Sequence, residues 1–350
     1  MIRVMKKTLV TFVCLLSFFY GSSQDIAFSQ FIYNPIYMNP AACGIERGLR
    51  ASINYHRELV LGSSKFETLG VSFDQSLHDL DMKGLGGTGL FLLKTQEGDG
   101  RLNTLEFGIP LTARVELNQN WVMQAAIAPV IYEKYIDWGR LVFGDQIDPY
   151  YGVVLPTSQT GFNDARNNIH FFDFHVGLWA RYETDPSNQV NVDNDVFDIG
   201  ISAQHVPEPN QSFFSQISKL PTRYIFMARY SKNLSNDQFR TSKLQPFVLF
   251  EQQSSMQDWT IGANYIYNGL NVGAFLRKDQ NSIMKVTEII LMGGIEFPFR
   301  EDLFSSMRIN YSCAVILNQS YNKPNLSPEL SLILKLPSIY RKQDPCRMYF

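Results

Sequence analysis

Leu105 to Leu117 carries the pattern on which most of this chain is built. Every second residue is apolar (Leu105, Phe107, Ile109, Leu111, Ala113, Val115, Leu117), and between them stand Glu106, Gly108, Pro110, Thr112, Arg114 and Glu116. A strand points successive side chains to opposite faces, so this stretch has one greasy face and one wet face. At about thirteen residues it is longer than an ordinary strand and long enough to cross a bilayer at a tilt, for which roughly 9–11 residues suffice.

The same period recurs along the chain. It predicts strands starting at Leu49 and Leu69, then over Gly84 to Lys94, Trp121 to Ile131, Phe172 to Tyr182 and Val196 to His205. Further matches follow at Thr222 to Tyr230, Leu244 to Gln252, Trp259 to Tyr267, Leu270 to Arg277, Thr287 to Pro298, Ser305 to Asn318 and Leu326 to Leu336. Asn268-Gly269 is a two-residue hairpin signal, and Asn118 to Asn120 a tight polar turn. Between Tyr132 and Phe171 the alternation lapses for about forty residues, a length that marks a functional loop. The tally is about fourteen strands with no helix needed between any pair, which counts against an α/β fold.

Alternation of this length and even number reads as an all-β transmembrane antiparallel β-barrel, apolar outside and polar inside. Tyr55, Trp121, Tyr182, Trp259 and Tyr267 fall at strand ends, where interfacial aromatics belong. Arg50, His56, Glu106, Arg114, Asp198, Glu296, Arg308 and Lys335 are then expected to line the lumen. With both termini on the periplasmic side, parity puts Asn268-Gly269 in a periplasmic turn and the loops Tyr132 to Phe171 and Val206 to Pro221 outside the cell.

What precedes the strands divides in two. Arg3, Lys6 and Lys7, the apolar run Thr8 to Tyr20 and Gly21-Ser22-Ser23-Gln24 read as an export signal over 1–24, with the mature chain starting near Asp25. Residues 25–47 are aromatic and broken by two Asn-Pro pairs, Asn34-Pro35 and Asn39-Pro40. Too apolar for a solvated tail, this segment is expected to plug the barrel or pack against its periplasmic rim. The barrel spans 48–336, and 337–350 form a C-terminal tail.

Composition narrows the function. Net charge is −2, with 31 Lys+Arg against 33 Asp+Glu and no basic tract, so nucleic acid is not the expected partner. No cofactor-binding motif is present, and His56, His78, His170, His175 and His205 show no zinc-type spacing. His175 and Asp173 share a strand face, but no serine stands in a G-x-S-x-G context. Asp79 with Asp81, or Asp145 with Asp148, are the acidic pairs a surface hydrolase would use; solvated loop carboxylates are the plainer reading, and no catalytic residue is assigned. Cys43 and Cys346 lie just outside the first and last strands, which closure would make neighbours, so a Cys43–Cys346 disulfide is open to them.

Several blocks carry a family resemblance. They are Phe28 to Gly44, Asn54-Tyr55-His56-Arg57, Phe66 to Gln75, Gly84 to Leu92, Asp137-Trp138, Phe143-Gly144-Asp145-Gln146 and Phe197 to Phe214. In this order they resemble the PorP/SprF family of outer-membrane proteins attached to the type IX secretion and gliding machinery of the Bacteroidetes. The resemblance implies a non-enzymatic barrel in the outer membrane. It implies docking or anchoring of a secreted adhesin-like cargo through its C-terminal sorting domain, or linkage to periplasmic ring or lipoprotein components. It points to Phe28, Gln30, Tyr33, Asn34, Pro35, Asn39, Pro40, Trp138, Asp145, Gln146, Pro209, Asn210 and Phe213 as partner contacts. The tail Pro337 to Phe350 departs from the family, whose chains often stop at the final strand. A porin-like or hydrophobic-solute transporter is the alternative reading of the same barrel.

Overall fold

The computed structural model describes residues 25, 27–46, 48–59, 65–78, 84–98, 102–155, 158, 165–184, 194–235, 241–279, 286–300, 305–317 and 325–336. The expected export signal, the tail with Cys346, and Asp79 and Asp81 lie outside these residues; Cys43 lies within them, fully buried.

The strands are β1 (Leu49–Leu59), β2 (Lys65–His78), β3 (Gly84–Glu97), β4 (Leu102–Gly108), β5 (Leu111–Glu116), β6 (Trp121–Tyr135), β7 (Ile147–Asp148), β8 (Gly152–Val153) and β9 (Asn168–Glu183). They continue as β10 (Val196–Gln204), β11 (Arg223–Asn233), β12 (Ser242–Gln253), β13 (Met256–Tyr267), β14 (Leu270–Asp279), β15 (Glu288–Arg300), β16 (Ser305–Ile316) and β17 (Asn325–Leu336). Apart from the small β7–β8 hairpin, each pairs antiparallel with its neighbours. The ring closes where β1 meets β17, with Leu49 opposite Leu336 and Leu59 opposite Leu326. β4 and β5 are two halves of one stave, giving a closed barrel of 14 strands.

The stretch Leu105 to Leu117, expected as one unbroken strand, is therefore interrupted at Ile109-Pro110. The register does not slip: Phe91 faces Gly108 and Thr88 faces Leu111. Pro110 has no N–H, and Ile109 donates to the carbonyl of Pro129 (3.2 Å), which has no N–H to return. Two prolines on adjacent strands open the ladder locally while parity carries through.

Outward rows are apolar and exposed, as in Ile109, Leu111, Val115 and Leu117, and suit lipid. Tyr230, Tyr265, Tyr267 and Phe297 ring one end of this band, and Tyr135, Phe172, Tyr224 and Trp259 the other. At one end Asn268-Gly269 makes a two-residue turn, and both residues have positive φ (47° and 83°), the pairing that matches strand twist in such a hairpin. The long connections after β6 and β10 share the opposite end.

Inward rows are polar, as expected, but not throughout. In β3 the apolar row faces in: Phe91 and Leu93 are buried while Leu90 is exposed. Ile225, Met227, Phe247, Leu249, Phe275, Ile290 and Met292 also point inward and form one core cluster with Phe28, Phe31, Ile36, Tyr37 and Met38. An inner apolar surface in a polar-lined barrel has a local cause. It is where the N-terminal residues pack.

Candidate functional site

Residues 27–46 are the first component. Their helical turns are short, Pro35 opening Pro35–Met38 and Pro40 opening Pro40–Ala42, where a missing N–H costs nothing. Phe31 meets Phe247 and Phe275 edge-on, at 5.0 and 5.4 Å between ring centroids. The polar groups are bound to the wall strand by strand. Ser29 and Gln30 donate backbone N–H to Glu329 Oε2 (2.8 and 3.0 Å), and Arg277 Nη2 donates to Phe28 O (2.7 Å). Asn271 Nδ2 donates to Tyr33 OH (2.9 Å), Gln204 Nε2 to Tyr37 O (2.6 Å) and Ser202 Oγ to Met38 O (2.6 Å). Asn39 Nδ2 donates to both Leu178 O and Ile201 O (3.0 and 3.2 Å). It fits because Gly177 and Gly200 face it; a Cβ on Gly177 would stand 2.1 Å from Asn39 Oδ1. Gly44 N reaches Asp74 Oδ2 (2.8 Å), which also holds Arg50, and Glu46 pairs with Lys335 (2.8 Å).

Six of the expected contact residues are thus consumed inside the chain: Phe28, Gln30, Tyr33, Asn34, Asn39 and Pro40 are buried, and Pro35 is half-buried.

The long-loop mouth is the second component. There the two loop motifs meet: Trp138 packs edge-on to Phe213 (6.2 Å) and tilted on Phe214 (5.5 Å). Trp138 Nε1 donates to Arg166 O (3.1 Å), Arg166 N to Phe213 O (2.9 Å) and Lys134 Nζ to Gln211 Oε1 (2.6 Å). Asn210 Oδ1 accepts from Ser212 N and Ser218 N, closing a turn that Leu220 N fastens to Pro209 O. Gln146 is buried, bonded to Phe143 N and Leu155 O, and Asp145 holds Ser158 Oγ. Asp148 Oδ1 caps the turn at Tyr150 and Tyr151. Asp145 and Asp148 thus serve loop geometry. The turn they shape presents Tyr150 (92% exposed) and Tyr151 (84%), with Ile217 (78%) on the other loop.

Between the two components lies a junction that the sequence reading missed. Asp25 Oδ2 is 2.6 Å from His205 Nε2, and Asp173 Oδ2 is 2.5 Å from His205 Nδ1. Burial opposes charge on His205, but Asp25 and Asp173 on its two ring nitrogens push it up to about 9. Burial likewise opposes ionisation of Asp25, and the His205 charge holds its carboxyl well below the usual range. Strand parity hides His205: it should point outward after Gln204, yet both are buried, because its backbone turns left-handed (φ 56°).

A family model described as type IX secretion system membrane protein PorP/SprF matches residues 21–333. No curated protein matches the chain. Among solved structures, the chain is similar to the Ralstonia pickettii toluene transporter TbuX (13% identity, 90% of this chain, 94% of that chain, TM-score 0.46). It is also similar to a deltaS2S3 mutant of the monoaromatic hydrocarbon channel TodX (11%, 86% and 93%, TM-score 0.48). A Pseudomonas aeruginosa FadL homologue gives 9%, 87% and 93%, with a TM-score of 0.41.

Proposed function

The chain belongs to the PorP/SprF family of type IX secretion system membrane proteins, and from that premise we propose that it is a docking barrel of the outer membrane. Residues 27–46 act as a plug, and the long-loop mouth faces outward and holds a secreted cargo through its C-terminal domain. Family and fold are those of a secretion or transport barrel of the membrane, not of an enzyme.

The observation that carries this reading is the occupied interior. The inner apolar residues of β3, β11, β12, β14 and β15 are spent on the N-terminal residues, and the polar rows bind their backbone. A solute path would need that packing undone. Tyr150, Tyr151 and Ile217, by contrast, present apolar area at the mouth, above the band that lipid covers. Aromatic residues in this setting are the usual anchors of protein contacts.

The test is surface retention of cargo. Tyr150→Ala with Tyr151→Ala should release cargo into the medium while the barrel remains in the outer membrane at normal abundance. Unchanged retention in that double variant would remove the mouth as the dock. Periplasmic ring proteins co-purifying in place of cargo would make the barrel a linker to the machine instead.

A further inference from the structure

Asp173, His175 and His205 converge more tightly than charge pairing requires. One donor atom from each lies within 4.8 Å of the others, and all three residues are buried. Asp173 and His175 both point inward from β9, two residues apart. His205 follows β10, the strand paired with β9, and is turned into the same space by its left-handed backbone. A histidine in that conformation is strained, and the surroundings must hold it. Here Glu208 N and Thr222 Oγ1 bind the His205 carbonyl (3.0 and 3.2 Å).

The spacing suits a metal ion. Ligand atoms around a tetrahedral ion at roughly 2.0–2.1 Å stand about 3.3 Å apart. Asp173 Oδ2 and His175 Nε2 already stand 3.5 Å apart. Asp173 Oδ2 and His205 Nδ1, at 2.5 Å, are hydrogen-bonded where an ion would enter. The outer arrangement suits one too. A metal-bound histidine ordinarily donates its other ring N–H to a carboxylate, and His205 Nε2 faces Asp25 Oδ2 at 2.6 Å. Next to the cluster, Tyr132 OH is 3.5 Å from His175 Nε2.

We propose that Asp173 Oδ2, His175 Nε2 and His205 Nδ1 bind one divalent first-row transition ion of the zinc class, with Asp25 orienting His205 from outside. Two imidazoles and one carboxylate select such an ion over calcium or magnesium, which prefer all-oxygen sites. On binding, the proton between Asp173 and His205 leaves to solvent and the ion takes its place; no electron moves. The ion would fasten the start of the N-terminal segment to the β9–β10 wall through Asp25.

The experiment uses the full chain purified in detergent, stripped with a chelator and titrated with Zn2+ and, separately, Co2+. One equivalent should bind at micromolar concentration or below, and X-ray absorption of bound zinc should count two imidazole nitrogens. His175→Ala should weaken binding by more than about a hundredfold, and Asp25→Asn by roughly ten- to a hundredfold, the range for outer-sphere partners. Circular dichroism confirms that each variant keeps its strands. Should a variant fail that check, the wild-type absorption spectrum decides alone: a zinc shell without two imidazoles overturns the site. So does the lack of stoichiometric binding, or full binding by His175→Ala.

Discussion

Two buried ionic clusters share the β9–β11 wall, near opposite ends of the lumen, and they join different things. Toward the short-turn end, Asp198 on β10 accepts from Trp179 Nε1 (3.0 Å) and Arg181 Nε (2.7 Å) at one oxygen. At the other it accepts from Arg229 Nε (3.0 Å) and Nη2 (2.5 Å). Both carboxylate oxygens are filled, and every partner belongs to a neighbouring strand. Toward the long-loop end, His205, bonded to Asp173 at one ring nitrogen, reaches with the other to Asp25 on the N-terminal segment. The first cluster locks staves to each other. The second locks the lumen's contents to the staves, so the two can be broken separately.

The largest effect is expected at Asp198. Asp198→Ala leaves Arg181 buried without its closest carboxylate, Glu183 standing off at 3.7 Å, and removing one member of a buried pair costs about 3–5 kcal/mol. Denaturant unfolding in detergent should show that loss, while protease sensitivity of residues 27–46 in the folded barrel stays as in wild type. An unfolding midpoint within error of wild type would mean that the cluster does not hold the wall.

A smaller effect, of the opposite kind, is expected at Asn39. Asn39→Ala removes two bonds to wall carbonyls and should cost about 1–3 kcal/mol. Here protease sensitivity of the segment should rise with little change in wall unfolding. Gly177→Ala puts a Cβ into the same Asn39 side chain and should act alike. The double variant should then lose less than the sum of the singles, because Asn39→Ala removes what the new methyl strikes. Strict additivity would separate the two positions. Least of all is expected at the mouth's rim, where Lys219→Ala breaks an exposed pair with Glu208 (3.3 Å) and should stay within about 0.5 kcal/mol.

The sequence made the staves legible because a strand's period of two survives local defects. Pro110 and Pro129 break ladder bonds without shifting parity, so the apolar row from Leu105 to Leu117 still reads true. The packing of Phe28 to Met38 was legible as necessity, since so apolar a segment must be covered. What covers it was not, because Phe91, Phe247 and Phe275 are apolar like the lipid-facing residues and only register places them inside. Asp198 was legible as a lumen residue, but its partners Arg181 and Arg229 depend on cross-strand register that no local pattern encodes. His205 stayed hidden for a different reason. One left-handed residue reverses its facing, and nothing in the neighbouring residue types announces it.

The central claim is that residues 27–46 fill the lumen and leave the mouth to act as a docking surface. Conductance in planar bilayers tests it most directly, comparing the wild-type chain with one lacking residues 27–46. The account predicts a silent wild type and a deletion variant that conducts ions through an open barrel. A wild type that conducts as well as the deletion variant would contradict it.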